Sequence, residues 1–121
     1  MRPRVVMKFG GSSLADAERF MLAANIIKEK IEMTPLVVVS AVGAKEGQPK
    51  VTDMLKEMGL TILAGGECKK LFFELLEVHR RVVMDLKMDP VILEPNFTEM
   101  REILDRIKSR HYGSREEALD A

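Results

Sequence analysis

Val5-Val6-Met7-Lys8-Phe9-Gly10-Gly11-Ser12-Ser13 begins as a short apolar, β-branched run and stops at two glycines. That pattern predicts a buried strand over residues 5–9 ending in a turn. Beyond the turn the period changes. Phe20, Ala23, Ala24, Ile27 and Ile31 recur at three- and four-residue steps, which predicts a helix over 15–31 with one apolar stripe. Asp16 and Glu18 come early in it and Lys28 and Lys30 late, the order that the helix dipole favours. Pro35 closes the unit. Leu36-Val37-Val38-Val39 then forms a continuous apolar run, as in parallel strands covered on both faces. Strand, helix and strand in this order predict a βαβ unit over residues 1–51, with a right-handed crossover.

Downstream the pattern is helical. Residues 41–50 are a polar loop containing Gly43, Gly47 and Pro49. Thr52 or Asp53 can cap a helix to about residue 64, with Met54, Leu55, Met58 and Ile62 inward. Gly65-Gly66 breaks it. Residues 67–87 carry a broad apolar helical face through Leu71, Phe72, Leu75, Leu76, Val78, Val82, Val83 and Leu86. Asp89-Pro90 and Glu94-Pro95 bracket a connector. A last helix over 98–108 presents Met100, Ile103, Leu104 and Ile107 and ends by Tyr112-Gly113. Residues 52–121 thus read as a helical segment of about three helices. No internal repeat is visible.

Composition narrows the function classes. A chain of 121 residues, 46% hydrophobic, is one ordinary globular domain. Nineteen basic residues balance nineteen acidic ones, so net charge supplies no attraction for nucleic acid or an anionic membrane. The single cysteine, Cys68, excludes an internal disulfide and a cysteine metal cluster. No apolar run approaches the ~20 residues of a membrane span. Met1-Arg2-Pro3-Arg4 leads into an apolar stretch too short for a signal peptide, and a cytoplasmic location is expected. The nine methionines read as adaptable core and interface filler.

Lys8-Phe9-Gly10-Gly11-Ser12-Ser13 carries the chemistry. Where a strand hands over to a helix, bare glycine N–H groups can approach an anion, and the helix start adds partial positive charge. Lys8 adds a full charge and the serines add hydroxyls. The spacing is neither GxxxxGK[ST] nor GxGxxG. Taken alone, Lys8 also fits a solvated lysine, and Gly10-Gly11 a tight turn. Thr52 can be a helix cap, a ligand contact, or both. His79 reads as a polar-face histidine, and a metal site is not expected. Cys68 reads as a passive thiol near a helix start. Gly65-Gly66 follows no strand and reads as a helix–helix turn.

The segment Lys8 to Ser13 resembles the KFGG[TS]S signature that opens aspartate kinases. Val37-Val38-Val39-Ser40-Ala41 resembles the second strand of that family and its Ser-Ala turn, and Val51-Thr52-Asp53-Met54-Leu55 its V-T-[DN]-x-L segment. Ser114 to Leu119 resembles the S-x-G-E-x-L segment more loosely, with Glu116 in place of the glycine. The resemblance implies the amino-terminal part of an amino-acid kinase αβα sandwich of the carbamate kinase-like type. It also implies ATP-dependent phosphorylation of the β-carboxylate of L-aspartate, the first step toward lysine, threonine and methionine. Lys8 would neutralise charge on the transferred phosphoryl group. Gly10, Gly11 and Ser12 would hold the phosphates, with Ser40 and Ala41 across the transfer path. Thr52 and Glu117 would bind aspartate, and Mg²⁺ would be held by the nucleotide phosphates.

Two further expectations accompany that resemblance. The adenine pocket and the remaining active-site residues of such an enzyme would lie beyond residue 121, so this chain alone would be inactive. Homo-oligomerisation is expected as well. Two parallel strands make a small sheet with open edges, which supports an alternative: a non-catalytic helical module that pairs with itself or a partner. Other kinases of the same fold are a further alternative, but Phe9, Ser12-Ser13 and Val51-Thr52-Asp53 favour aspartate.

Overall fold

The computed structural model describes residues 2–120, and side chains over residues 2–110. Strand β1 (Val5–Phe9) and strand β2 (Pro35–Val39) pair in parallel, from Val5 opposite Pro35 to Phe9 opposite Val39. Helix α1 (Ala17–Glu29) makes the crossover. Its start is fixed by Asp16, whose carboxylate accepts the Arg19 N–H at 2.9 Å, an N-cap bond that satisfies one orphan donor. A tight 3₁₀ turn over Gly11–Leu14 separates β1 from α1. After α1 the chain turns at Thr34 (φ 45°), whose hydroxyl donates to the Arg2 carbonyl at 3.0 Å.

Alternation along the strands decides what this sheet buries. Phe9 is buried, with Met7 and Val37 half-buried on the same side against Ala23, Phe20 and Ile27 of α1. The continuous run Leu36–Val39 predicts cover on both faces, and here the structure differs. Val6, Leu36 and Val38 are exposed at 66%, 50% and 46%. The physical reason is that α1 lies on one face while the later helices gather around a core of their own. The α1 stripe is also narrower than expected, since Ala24 and Ile31 are exposed.

That second core joins helices α2 (Val51–Leu63), α3 (Lys69–Asp85) and α4 (Glu94–Asp120). Val51, Met54, Met58, Ile62, Cys68, Phe72, Leu75 and Phe97 form its buried cluster. Helix α2 starts one residue before Thr52, with Lys50 at the N-cap position and no side-chain cap. Neither Thr52 nor Asp53 caps it, because both already lie inside the first turn, where Asp53 favours the dipole. Its end is glycine-dependent: Gly65 has φ +83°, and Gly66 N–H reaches back to the Thr61 carbonyl at 2.9 Å. Helix α3 ends the same way with Lys87 at φ 59°, and Met88 N–H donates to Val83 at 3.0 Å.

Two corrections concern the last element. Pro95 does not hold the chain in a connector; it sits in the first turn of α4, where a missing N–H costs nothing. Tyr112-Gly113 does not end the helix, which continues to Asp120. His79, expected on a polar face, is half-buried. Its Nδ1–H donates to the Leu75 carbonyl at 2.8 Å and its ring meets Phe97 at 5.5 Å.

Candidate functional site

Both strands of the parallel pair end at the same level, so the turns that follow them lie side by side. The first turn is Gly10–Leu14. Gly10 is extended (φ −80°, ψ 179°) and its carbonyl accepts the Ser13 N–H at 3.1 Å. The leading N–H groups of a 3₁₀ turn have no partner within it. Arg19, one turn into α1, donates its guanidinium to the Ser12 carbonyl at 2.6 Å and so ties the turn to the helix. The second turn begins at Ser40, whose N–H donates to the Phe9 carbonyl at 3.0 Å.

The two turns touch through backbone. A Cβ placed on Gly11 would lie 3.7 Å from Gly43 Cα and 3.8 Å from Ser40 Oγ, ordinary contact distances. On Gly43 a Cβ would run into the Gly11 carbonyl oxygen and lie 3.0 Å from Gly11 Cα. Gly43 N–H also donates to the Leu14 carbonyl at 3.0 Å, and Lys45 Nζ pairs with Asp16 Oδ2 at 3.4 Å. The Arg19 N–H bonded to the Asp16 carboxylate holds its pKa below the ordinary value, aided by Lys45 and opposed by partial desolvation.

Against the expected residues, the structure brings Gly11 and Ser40 together, with Gly10, Ser12 and Ala41 as their chain neighbours. Ser40 Oγ–H is turned onto the Ala41 carbonyl at 2.6 Å, so its hydroxyl proton is engaged and its lone pairs remain. Lys8 is exposed on the sheet face shared with Val6 and lies opposite Val38 in register. Thr52 is exposed in the first turn of α2, beyond the loop that follows Ser40. Glu117 falls outside the residues whose side chains are described. Gly43, Arg19 and the Asp16–Lys45 pair were not singled out from sequence. A glycine required by a close approach rather than by a left-handed φ leaves no local signal in a polar loop.

A cleft of about 390 Å³ opens behind the second turn, between the start of α1, the 43–49 loop and α3. Asp16, Lys45, Glu77, Arg81 and Asp85 ring it over an apolar floor of Met54, Val78 and Val82. Its lining includes neither Lys8 nor Gly10-Gly11. Among the described residues no three His, Cys, Asp or Glu side chains converge as metal ligands. No helix of the described residues is long and apolar enough to cross a membrane.

Residues 3–91 match the amino acid kinase family. Over 106 residues the chain is 35% identical to aspartokinase 1 and 31% identical to aspartokinase 2, both chloroplastic proteins of Arabidopsis thaliana. Each match covers 84% of this chain and 18% of the relative. The structure is similar to the crystal structure of an aspartate kinase from Clostridium acetobutylicum, with TM-score 0.71 and 27% identity. That likeness covers 91% of this chain and 27% of the other. The chain therefore spans well under a third of the relatives it matches.

Proposed function

Because the chain belongs to the amino acid kinase family, we propose that it is the phosphate-side, amino-terminal part of an aspartate kinase. The reaction is transfer of the γ-phosphoryl group of ATP to the β-carboxylate of L-aspartate, giving 4-phospho-L-aspartate and ADP. A carboxylate oxygen forms the new P–O bond, and the bond to the bridging oxygen of ADP breaks, leaving its electron pair on ADP. One observation carries the reading: the glycine turn after β1 lies in backbone contact with the turn that begins at Ser40.

Phosphoryl transfer asks mainly for positioning and charge stabilisation. In this reading Lys8 neutralises charge on the transferred group. The N–H groups of Gly10, Gly11 and Ser12 hold phosphate oxygens, and Ser40 and Ala41 line the opposite side. Thr52 and Glu117 contact aspartate. ATP is a substrate, and Mg²⁺ held by its phosphates supplies the remaining positive charge. The substrate assignment rests on Lys8–Ser13, Ser40-Ala41 and Val51–Leu55 and on the two aspartokinase relatives. The expected cytoplasmic location is part of this proposal only, and the two relatives differ from it in being named as chloroplastic.

Joined to the remainder of an aspartate kinase, this chain should support aspartate-dependent ATP turnover. In that enzyme Lys8→Ala should cost at least the ~3–4 kcal/mol typical of one lost transition-state donor. Undiminished turnover would remove Lys8 from the reaction. The chain alone should bind Mg-ATP weakly in calorimetric titration, and submicromolar affinity would contradict the need for the missing part.

The open sheet face of Val6, Leu36 and Val38 favours a second reading for the isolated chain, self-association. Light scattering at micromolar concentration separates the two: a clean monomer excludes obligatory pairing.

A further inference from the structure

We infer that Gly43 is a positioning residue of the phosphate site, setting the distance between the Gly11 turn and Ser40 by direct backbone contact. The inference rests on the phosphate reading above and adds a residue to it. Among the described residues the left-handed glycines are Gly47 and Gly65, so Gly43 is not there to supply an unusual φ. What it supplies is absence of bulk. Its Cα faces the Gly11 peptide so closely that a methyl group would collide with the Gly11 carbonyl oxygen and sit 2.5 Å from the carbonyl carbon. Those atoms are main chain and cannot swing aside as a side chain would.

The demand is one-sided. A methyl on Gly11 meets only ordinary contacts, at 3.7 Å to Gly43 Cα and 3.8 Å to Ser40 Oγ. Three bonds hold the approach in place. Gly43 N–H donates to the Leu14 carbonyl at 3.0 Å, Lys45 pairs with Asp16 at 3.4 Å, and Arg19 donates to the Ser12 carbonyl at 2.6 Å. Both turns are therefore anchored to the start of α1, and Gly43 is the point at which their main chains meet. A side chain there would push the turns apart by about 1.5 Å to regain van der Waals separation. A phosphate group bridging Gly11 N–H and the Ser40 turn requires the narrower spacing.

Gly43→Ala tests this in the whole 121-residue chain, with Mg-ATP as probe and the amide resonances of Gly11 and Ala41 followed by NMR. Wild type should show saturable shifts at both amides at millimolar nucleotide. Gly43→Ala should weaken that response roughly 5-fold or more. Gly59→Ala, which adds a methyl where nothing lies within 4 Å, should leave it unchanged. A wild-type response matched by Gly43→Ala overturns the positioning role and leaves the phosphate reading standing. No response in wild type removes the phosphate reading and this inference with it. Should Gly43→Ala fail to fold, wild type alone still decides. A ligand that selects the closed spacing must slow hydrogen exchange of the Gly43 amide, because coupling is reciprocal. Saturating nucleotide with unchanged Gly43 exchange overturns the inference.

Discussion

The ring of Phe97 meets the ring of Phe72 edge-on, with centroids 5.8 Å apart and planes at 81°. Phe97 is 9% exposed and Phe72 5%, and Arg101 caps the Phe72 ring at 5.3 Å. Edge-to-face pairs contribute about 0.5–1.5 kcal/mol beyond the area they bury. Phe97→Ala should therefore lower unfolding free energy in urea by about 3–5 kcal/mol. Ile103→Ala, at a side chain 40% exposed, should cost well under half as much. Equal losses would show that α4 does not pack through Phe97.

That pair also shows where sequence reading stops. Strand β1 and the helical character of α1, α2 and α3 follow from spacing alone, because apolar period is a local property. The sequence hides the core role of Phe97 because Pro95 reads as a boundary, whereas in the first turn of α4 it breaks no hydrogen bond. The exposure of Leu36 and Val38 is hidden from the sequence for a related reason. An apolar run reports that a strand suits burial, but says nothing of whether a second layer is present. In the candidate site, the glycines after β1 stand out in sequence, while Gly43 depends on a contact across thirty-two residues of chain.

Lys87 ends α3 in the left-handed region, at φ 59°, where a β-carbon costs roughly 1–2 kcal/mol. Glycine carries no such cost there, though it loses more freedom on folding. Lys87→Gly should therefore stabilise the chain by roughly 0.5–1 kcal/mol, read as a higher urea midpoint at constant m-value. A lower midpoint would mean that the lysine charge at the helix end outweighs the backbone strain.

Asp16 caps α1 and pairs with Lys45, and its pKa is lowered chiefly by the Arg19 N–H. A carboxyl whose folded pKa is depressed stabilises the fold above its unfolded pKa, and that contribution fades as pH falls through the folded value. Comparing urea midpoints at pH 6 with those below the ordinary carboxyl value of 3.8 should show a shallower acid loss in Asp16→Asn than in wild type. Asparagine still caps the helix, so the difference isolates the charge. Identical acid limbs would show that the carboxylate gains nothing from folding.

Cys68 lies at the N-cap position of α3 yet is 7% exposed. Burial pushes its thiol above the ordinary 9.0, and the Asp105 carboxylate adds to the rise. Desolvation thus outweighs whatever the helix start offers a thiolate. Alkylation by iodoacetamide at pH 8 should be at least tenfold slower than in urea-unfolded chain, since the thiolate is both scarcer and shielded. The sign for stability follows from the raised pKa. The unfolded chain releases the thiol proton first, so stability is full below pH 9 and declines as pH rises through the folded value. In Cys68→Ala that share of the alkaline decline should vanish, at a modest packing cost. Rapid alkylation of the folded chain at neutral pH would instead mark Cys68 as an activated thiol.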